Sequence, residues 1–233
     1  MEEFQQLFRK HGNYNICNWA AENGRLDVLQ WARAHGCPWD ELTCKFAAKK
    51  GHLNILQWAR ENGCFWGEYT CAYAAAGGHL NVLQWARENG CPWDKSTCGY
   101  AASEGQLHIL KWARDHGCPW DEWTCAHAAL GGHLHVLQWA RDHGCPWDEW
   151  TCAHAAYGGH LHILQWALEN GCPLFICTKV VFKYRRFTLV SKLLHRIIFG
   201  KQEEKVKKWI TLVDEACNTL TYNDLSKLIK SFI

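Results

Sequence analysis

Glycine recurs at Gly24, Gly51, Gly78, Gly105, Gly132 and Gly159, a step of 27 residues with no slip. Tryptophan keeps that step at Trp31, Trp58, Trp85, Trp112, Trp139 and Trp166. It does so again at Trp39, Trp66, Trp93, Trp120 and Trp147, before Leu174 takes the sixth place. Two cysteine series follow suit, Cys17, Cys44, Cys71, Cys98, Cys125, Cys152 and Cys37, Cys64, Cys91, Cys118, Cys145, Cys172. A register held through six copies describes a chain of like units, each of which needs its neighbours to cover it. The doubled stretch HGCPWDEWTCAHAA, at 116–129 and 143–156, is one phase of this repeat rather than a site used twice.

One unit, TCAYAAAGGHLNVLQWARENGCPWDKS (70–96), reads as helix, turn, helix, loop. Thr70 is the expected N-cap, and the alanine-rich run behind it is a strong helix former whose small side chains allow close neighbours. Gly77 and Gly78 end that inner helix. The outer helix, expected from about His79 to Asn89, spreads Leu80, Val82, Leu83, Trp85 and Ala86 over roughly 200°, against ~100° for a helix covered on one side. It must be covered on both sides. Gly90 then supplies a left-handed cap and Pro92 prevents continuation.

Such units stack into an all-α solenoid. The expected organisation is an N-terminal cap helix over 1–14, where Phe4, Leu7 and Phe8 share a face, then six repeats over 15–177. A basic C-terminal helical cap follows over 178–233, where Thr178 keeps its place but Lys179 replaces a cysteine.

The residues reached so far resemble ankyrin repeats: TCAHAA (124–129) and GGHL (131–134) stand for that family's T-P-L-H-x-A and G-H-L. The period is 27 rather than 33. The shortfall lies between the Gly-Cys pair and the next threonine, where ankyrins carry a β-hairpin, so a tight loop is expected instead. This short Trp- and Cys-rich form looks like the arrays of large DNA viruses of protists and of algae and other protists. The resemblance implies an ankyrin-like α-solenoid that acts as a protein-binding scaffold, with no enzymatic activity and no cofactor.

Composition fits an intracellular setting. With 48% apolar residues the chain can bury a core. The amino terminus lacks the apolar run of a secretory signal, and no stretch approaches the 18 or so apolar residues of a membrane span. A cytoplasmic location is expected (the host cytoplasm if the chain is viral), with the nucleus as alternative, and reduced thiols for the 14 cysteines. Charge is divided. From Lys179 onward 12 basic and 5 acidic residues give +7, leaving 13 basic and 18 acidic residues, −5, for the array.

The residues that carry chemistry elsewhere read here as construction. Cysteines at both repeat positions are expected as small buried side chains. Cys118, Cys125 and His127 have zinc-ligand types but lack the close Cys pairs of structural zinc sites. His133 and His135, like His160 and His162, are placed about 200° apart by helical geometry, too divergent to share an ion. His108, His135 and His162 form an exposed ladder. His127 and His154 match the ankyrin histidine, whose role resembles hydrogen bonding to the threonine cap. Tryptophans at a constant step are expected to fill the same inter-repeat core pocket. Asp121 and Glu122, ahead of a helix, complement its dipole. No G-x-S-x-G, H-E-x-x-H, P-loop or G-x-G-x-x-G is present.

Function is therefore sought where the repeats disagree. The residue before each threonine varies (Leu42, Tyr69, Ser96, Trp123, Trp150), as do the fourth inner-helix position (Trp19, Phe46, Tyr73, Tyr100, His127, His154) and the seventh (Glu22, Lys49, Ala76, Ser103, Leu130, Tyr157). By resemblance, inner helices and loop tips line a concave binding surface. The candidate partner-binding residues are Tyr73, Tyr100, Trp123, Leu130, Trp150 and Tyr157, on a monomer that binds an unidentified protein and no membrane. The alternatives rest on the tail: binding of nucleic acid or an anionic surface through its basic helices, a nuclear import signal at Lys183, Arg185 and Arg186, or an F-box-like adaptor. The last segment, LTYNDLSKLIKSFI, resembles the first helix of an F-box but has Thr221 where that motif has proline.

Overall fold

The structure, a computed structural model, describes residues 2–173; the expected C-terminal cap, the import cluster and the F-box-like segment lie outside them. The described residues form twelve helices and no strand. The first, α1 (Glu2–Glu22), is interrupted at Gly12, whose φ of 73° leaves the helix, so that its second part is the inner helix of the first repeat. Outer and inner helices then alternate: α2 (Leu26–Ala34), α3 (Glu41–Lys50), α4 (Leu53–Glu61), α5 (Glu68–Gly77), α6 (Leu80–Glu88) and α7 (Lys95–Ser103). The array continues with α8 (Leu107–Asp115), α9 (Glu122–Gly131), α10 (Leu134–Asp142), α11 (Glu149–Gly158) and α12 (Leu161–Glu169). Each inner helix packs on the next inner helix, and each outer helix packs on its own inner helix. Between α4 and α5 the chain crosses in residues 62–67 with no strand, the reduced hairpin in place.

Burial covers the middle of the outer helix's apolar arc, while Leu80 and Trp85 stay half-buried. Val82, Leu83 and Ala86 of α6 are wholly buried, and on α5 Thr70, Cys71, Ala72, Ala74 and Ala75 are too, because inner helices lie against it on either side. Both helices of this repeat stop in the same way. Gly78 (φ 76°) and Gly90 (φ 79°) turn left-handed. The amides beyond them reach back, His79 N to Ala74 O at 3.1 Å and Cys91 N to Ala86 O at 2.9 Å, satisfying carbonyls that the helix end leaves open.

The helix start differs from the expectation. The N-cap is the aspartate three residues before each threonine: Asp40, Asp94, Asp121 and Asp148 accept from the amides of Leu42, Ser96, Trp123 and Trp150, and Gly67 holds the place in the third repeat. Aspartate caps as well as threonine and adds a charge favourable to the helix dipole. The threonines become third helical residues, wholly buried. Thr43 bonds Asn18 at 2.7 Å, while the hydroxyls of Thr70, Thr97, Thr124 and Thr151 are buried without a partner.

The tryptophans also differ. Of the two series only Trp66 is fully buried; the rest are half-buried and form a ladder at the repeat junctions. Trp66, in the loop, meets Trp85 edge-on at 5.6 Å, and Arg60 from the last turn of α4 lies over Trp66 at 4.2 Å while its Nη1 donates to Cys64 O. The same clasp recurs as Arg33–Trp39–Trp58, Arg87–Trp93–Trp112, Arg114–Trp120–Trp139 and Arg141–Trp147–Trp166. An indole flanked by guanidinium gains from staying at the wet edge, where the cation keeps its hydration. Trp31, with no loop tryptophan before it, is covered by Phe4 and Phe8 of α1 at 5.7 and 6.1 Å.

The twelve described cysteines are free and buried. Those behind the outer helix tie the two ends of their own repeat together: Cys64, Cys91, Cys118, Cys145 and Cys172 donate to the carbonyls of Asp40, Gly67, Asp94, Asp121 and Asp148 at 3.3–3.4 Å. The helix-start thiols Cys44, Cys71, Cys98, Cys125 and Cys152 each bond the sulfur of that second cysteine. This bond and burial hold them far above the ordinary thiol range. Burial raises Cys17 to about 12.

Two outcomes follow. A thiol-alkylating reagent should leave Cys17 to Cys172 unmodified in native buffer and label them once denaturant is added, read by peptide mass spectrometry; fast native labelling would contradict the buried-pair arrangement. Gly77→Ala should lower Tm, although alanine normally stabilises a helix by ~1 kcal/mol over glycine. Its Cβ would stand 2.2 Å from Lys49 O and 2.6 Å from the His79 ring. A higher Tm would show that α5 does not press on α3.

Candidate binding face

The second residue of α3, α7, α9 and α11 supplies its amide to the aspartate cap, Tyr69 holds the same place behind Gly67 in α5, and the side chain at this position is free to point outward. Leu42, Tyr69, Trp123 and Trp150 occupy that place and are 39, 42, 39 and 41% exposed. Trp123 and Trp150 stack with centroids 6.1 Å apart and planes 23° from parallel. One turn further along their helices, His127 and His154 brace them: Trp123 is 5.9 Å from His127 and meets His154 edge-on at 5.7 Å. His154 Nδ1 donates to Trp150 O at 2.9 Å. Burial, then His154, holds the His127 imidazole below the usual range. Only glycine fits easily at residue 99, since a Cβ there would lie 3.0 Å from His127 Nδ1. The expected bond between histidine and threonine is not made: Thr124 Oγ1 and His127 Nδ1 are both buried without a partner.

The other candidates lie in two further places. Tyr73 and Tyr100 are half-buried and tilt against each other at 5.7 Å, with Lys49 Nζ 5.7 Å from the Tyr73 ring; burial raises the Tyr100 phenol. Leu130 is half-buried and its carbonyl accepts from His160 Nε2 at 3.1 Å, whereas Tyr157 is 54% exposed. So Trp123 and Trp150 come together, Tyr73 and Tyr100 form a second pair, and Leu130 and Tyr157 stand at the far ends of α9 and α11.

Phe65, 67% exposed, was not among the candidates. Its signal was present, because it stands where the other loops carry Pro38, Pro92, Pro119 and Pro146. Leu42 and Tyr69, marked as variable but not chosen, belong to the same ridge as the tryptophans.

The histidines at the turn before the outer helix have a structural task the sequence did not disclose. His52 Nε2 reaches Glu22 O at 3.3 Å, as His160 reaches Leu130 O, each tying a repeat to the one before. His133 is an N-cap with ψ 72°, outside the helix, so the 200° separation from His135 does not apply. Their rings meet edge-on at 6.1 Å, and those of His160 and His162 at 6.3 Å. His108, His135 and His162 are exposed on the outer helices. Among the described residues no three of His, Cys, Asp and Glu converge in an arrangement suited to a metal. Cys118 and Cys125 do not pair: their thiol neighbours are Cys98 and Cys145. No helix among the described residues is long and apolar enough to cross a membrane.

The sequence model of ankyrin repeats in many copies matches residues 17–60. None of the curated proteins matches the chain significantly. Among solved structures, the human ASB11 ankyrin repeat domain is similar, with a TM-score of 0.52 and 15% identity over 67% of this chain and 84% of that one. That likeness concerns the fold, and it agrees with the paired helices, the glycine turns and the TCAHAA and GGHL stretches. The described residues form an all-α solenoid with the ankyrin-repeat fold.

Proposed function

We propose that the array is a non-enzymatic scaffold that binds a partner protein through its inner-helix face and loop tips. Ankyrin repeats generally mediate protein–protein interaction. The observation that carries the reading is the distribution of exposed apolar side chains. The six large ones among the described residues are Leu42, Phe65, Tyr69, Trp123, Trp150 and Tyr157, and all belong to inner helices or the loops leading into them. Exposed aromatic clusters of this kind make binding hot spots. A reducing, cytoplasmic setting is in keeping with the buried free thiols.

Replacing Trp123, Leu130, Trp150 and Tyr157 together with serine should abolish partner capture from the native cell extract while circular dichroism keeps its helical signal. Undiminished capture would rule out this face. The +7 charge from Lys179 onward supports a second reading, contact with nucleic acid or an anionic surface. That reading expects binding that falls steeply with salt and is lost when 179–233 are removed; salt-insensitive binding would exclude it.

A further inference from the structure

On the same ridge, one repeat already holds a cation. Lys45 Nζ lies 2.5 Å from Glu41 Oε1, at the start of α3, and 4.9 Å from the ring of Tyr69, at the start of α5. An ammonium thus sits between the carboxylate opening one inner helix and the aromatic ring opening the next. Three repeats further on, the same two positions are Glu122 on α9 and Trp150 on α11, but the residue in the place of Lys45 is Ala126. Tryptophan attracts a cation more strongly than tyrosine does. Trp123 widens the aromatic surface by stacking on Trp150, and Glu149 puts a second carboxylate in the first turn of α11. The nearby Lys95 pairs with Asp121 at 2.7 Å, and its charge also reaches Glu122. The array itself carries −5. The chain therefore supplies an ammonium between carboxylate and ring at α3–α5 and has Ala126 in its place at α9–α11.

We propose that Trp123, Trp150, Glu122 and Glu149 form a subsite for a lysine or arginine side chain of a basic, extended peptide segment in the partner. The inference rests on the inner face being the binding surface, and it adds the chemistry of what binds there. The guanidinium or alkylammonium lies against the indoles and pairs with the carboxylates, in the manner of Lys45 with Tyr69 and Glu41.

The test uses the full chain and three fluorescein-labelled peptides, each of four triplets: Gly-Ser-Arg, Gly-Ser-Gln and Gly-Ser-Glu, followed by anisotropy. The arginine peptide should bind at least about tenfold more tightly than the glutamine peptide. Trp123→Ser with Trp150→Ser should remove that preference, and Glu122→Gln with Glu149→Gln should reduce it by about fivefold or more. Ala126→Lys, which leaves both indoles and both carboxylates in place, should block the peptide by restoring an internal ammonium. Equal affinity for the arginine and glutamine peptides, or an undiminished preference in Ala126→Lys and in the double glutamine variant, would overturn the proposal. If the tryptophan variant loses the native partner while the wild-type chain shows no preference for arginine, the binding face stands and its cation specificity falls. If the variant still captures the partner, the face itself falls. Unchanged circular dichroism and Tm show that each variant is folded.

Discussion

Every junction in the array is closed by an arginine. It comes from the last turn of an outer helix, donates to the cysteine carbonyl just past that helix, and covers the loop tryptophan, whose other side meets the tryptophan of the next outer helix. Each element depends on the others. The carbonyl is in reach because the left-handed glycine has turned the chain back, and the indole is in reach because the loop is only six residues long, at 62–67. Inserting a residue would carry the tryptophan off the guanidinium and out of line with the next repeat. The constant 27-residue step is what this clasp requires, and a hairpin of ankyrin length has no place between its parts.

The clasp lies on the outer helices and loops, and this frees the inner helices. Their mutual contacts are made by alanine, threonine and cysteine, small enough that a glycine carbon at Gly77 faces the Lys49 carbonyl directly. Close backbone approach leaves little room for large side chains between inner helices, so those that occur, such as Tyr73 and Tyr100, stay half-buried, and those at the helix starts are exposed. The ridge of Leu42, Tyr69, Trp123 and Trp150 is a consequence of that crowding.

The architecture was legible in the sequence because it is periodic: helix stops at Gly78 and Gly90, buried cysteines and stacked units are all repeated six times and follow from local chemistry. What was not legible is a matter of three-dimensional partners. Threonine and aspartate both cap helices, and only the backbone shows that Asp121 does so and that Thr124 is swallowed by the interface. A tryptophan at constant spacing reads as core, and nothing in its spacing reveals the arginine, from six residues before it, that keeps it at the edge. The task of the turn histidines was not legible, since their acceptors, such as Glu22 O for His52, lie thirty residues back. Of the site, Trp123 and Trp150 were found by their departure from the repeat. Phe65 departs as clearly, but it breaks the pattern in the loop rather than on a helix.

The second helical position joins these two accounts. Its contribution to the fold is a backbone amide, given to the aspartate cap at 2.9–3.1 Å by Leu42, Ser96 and Trp123 alike. An amide is the same in every residue but proline, so the cap places no demand on the side chain. Elsewhere in the repeat the side chain is the structural part: an alanine admits a neighbour, a cysteine closes the two helices, an arginine covers an indole. A position whose structural duty is discharged by the backbone is free to carry leucine, tyrosine, serine or tryptophan. An exposed indole there carries ~1 kcal/mol or more of unfavourable hydration, a cost that the proposed contact with a partner would offset.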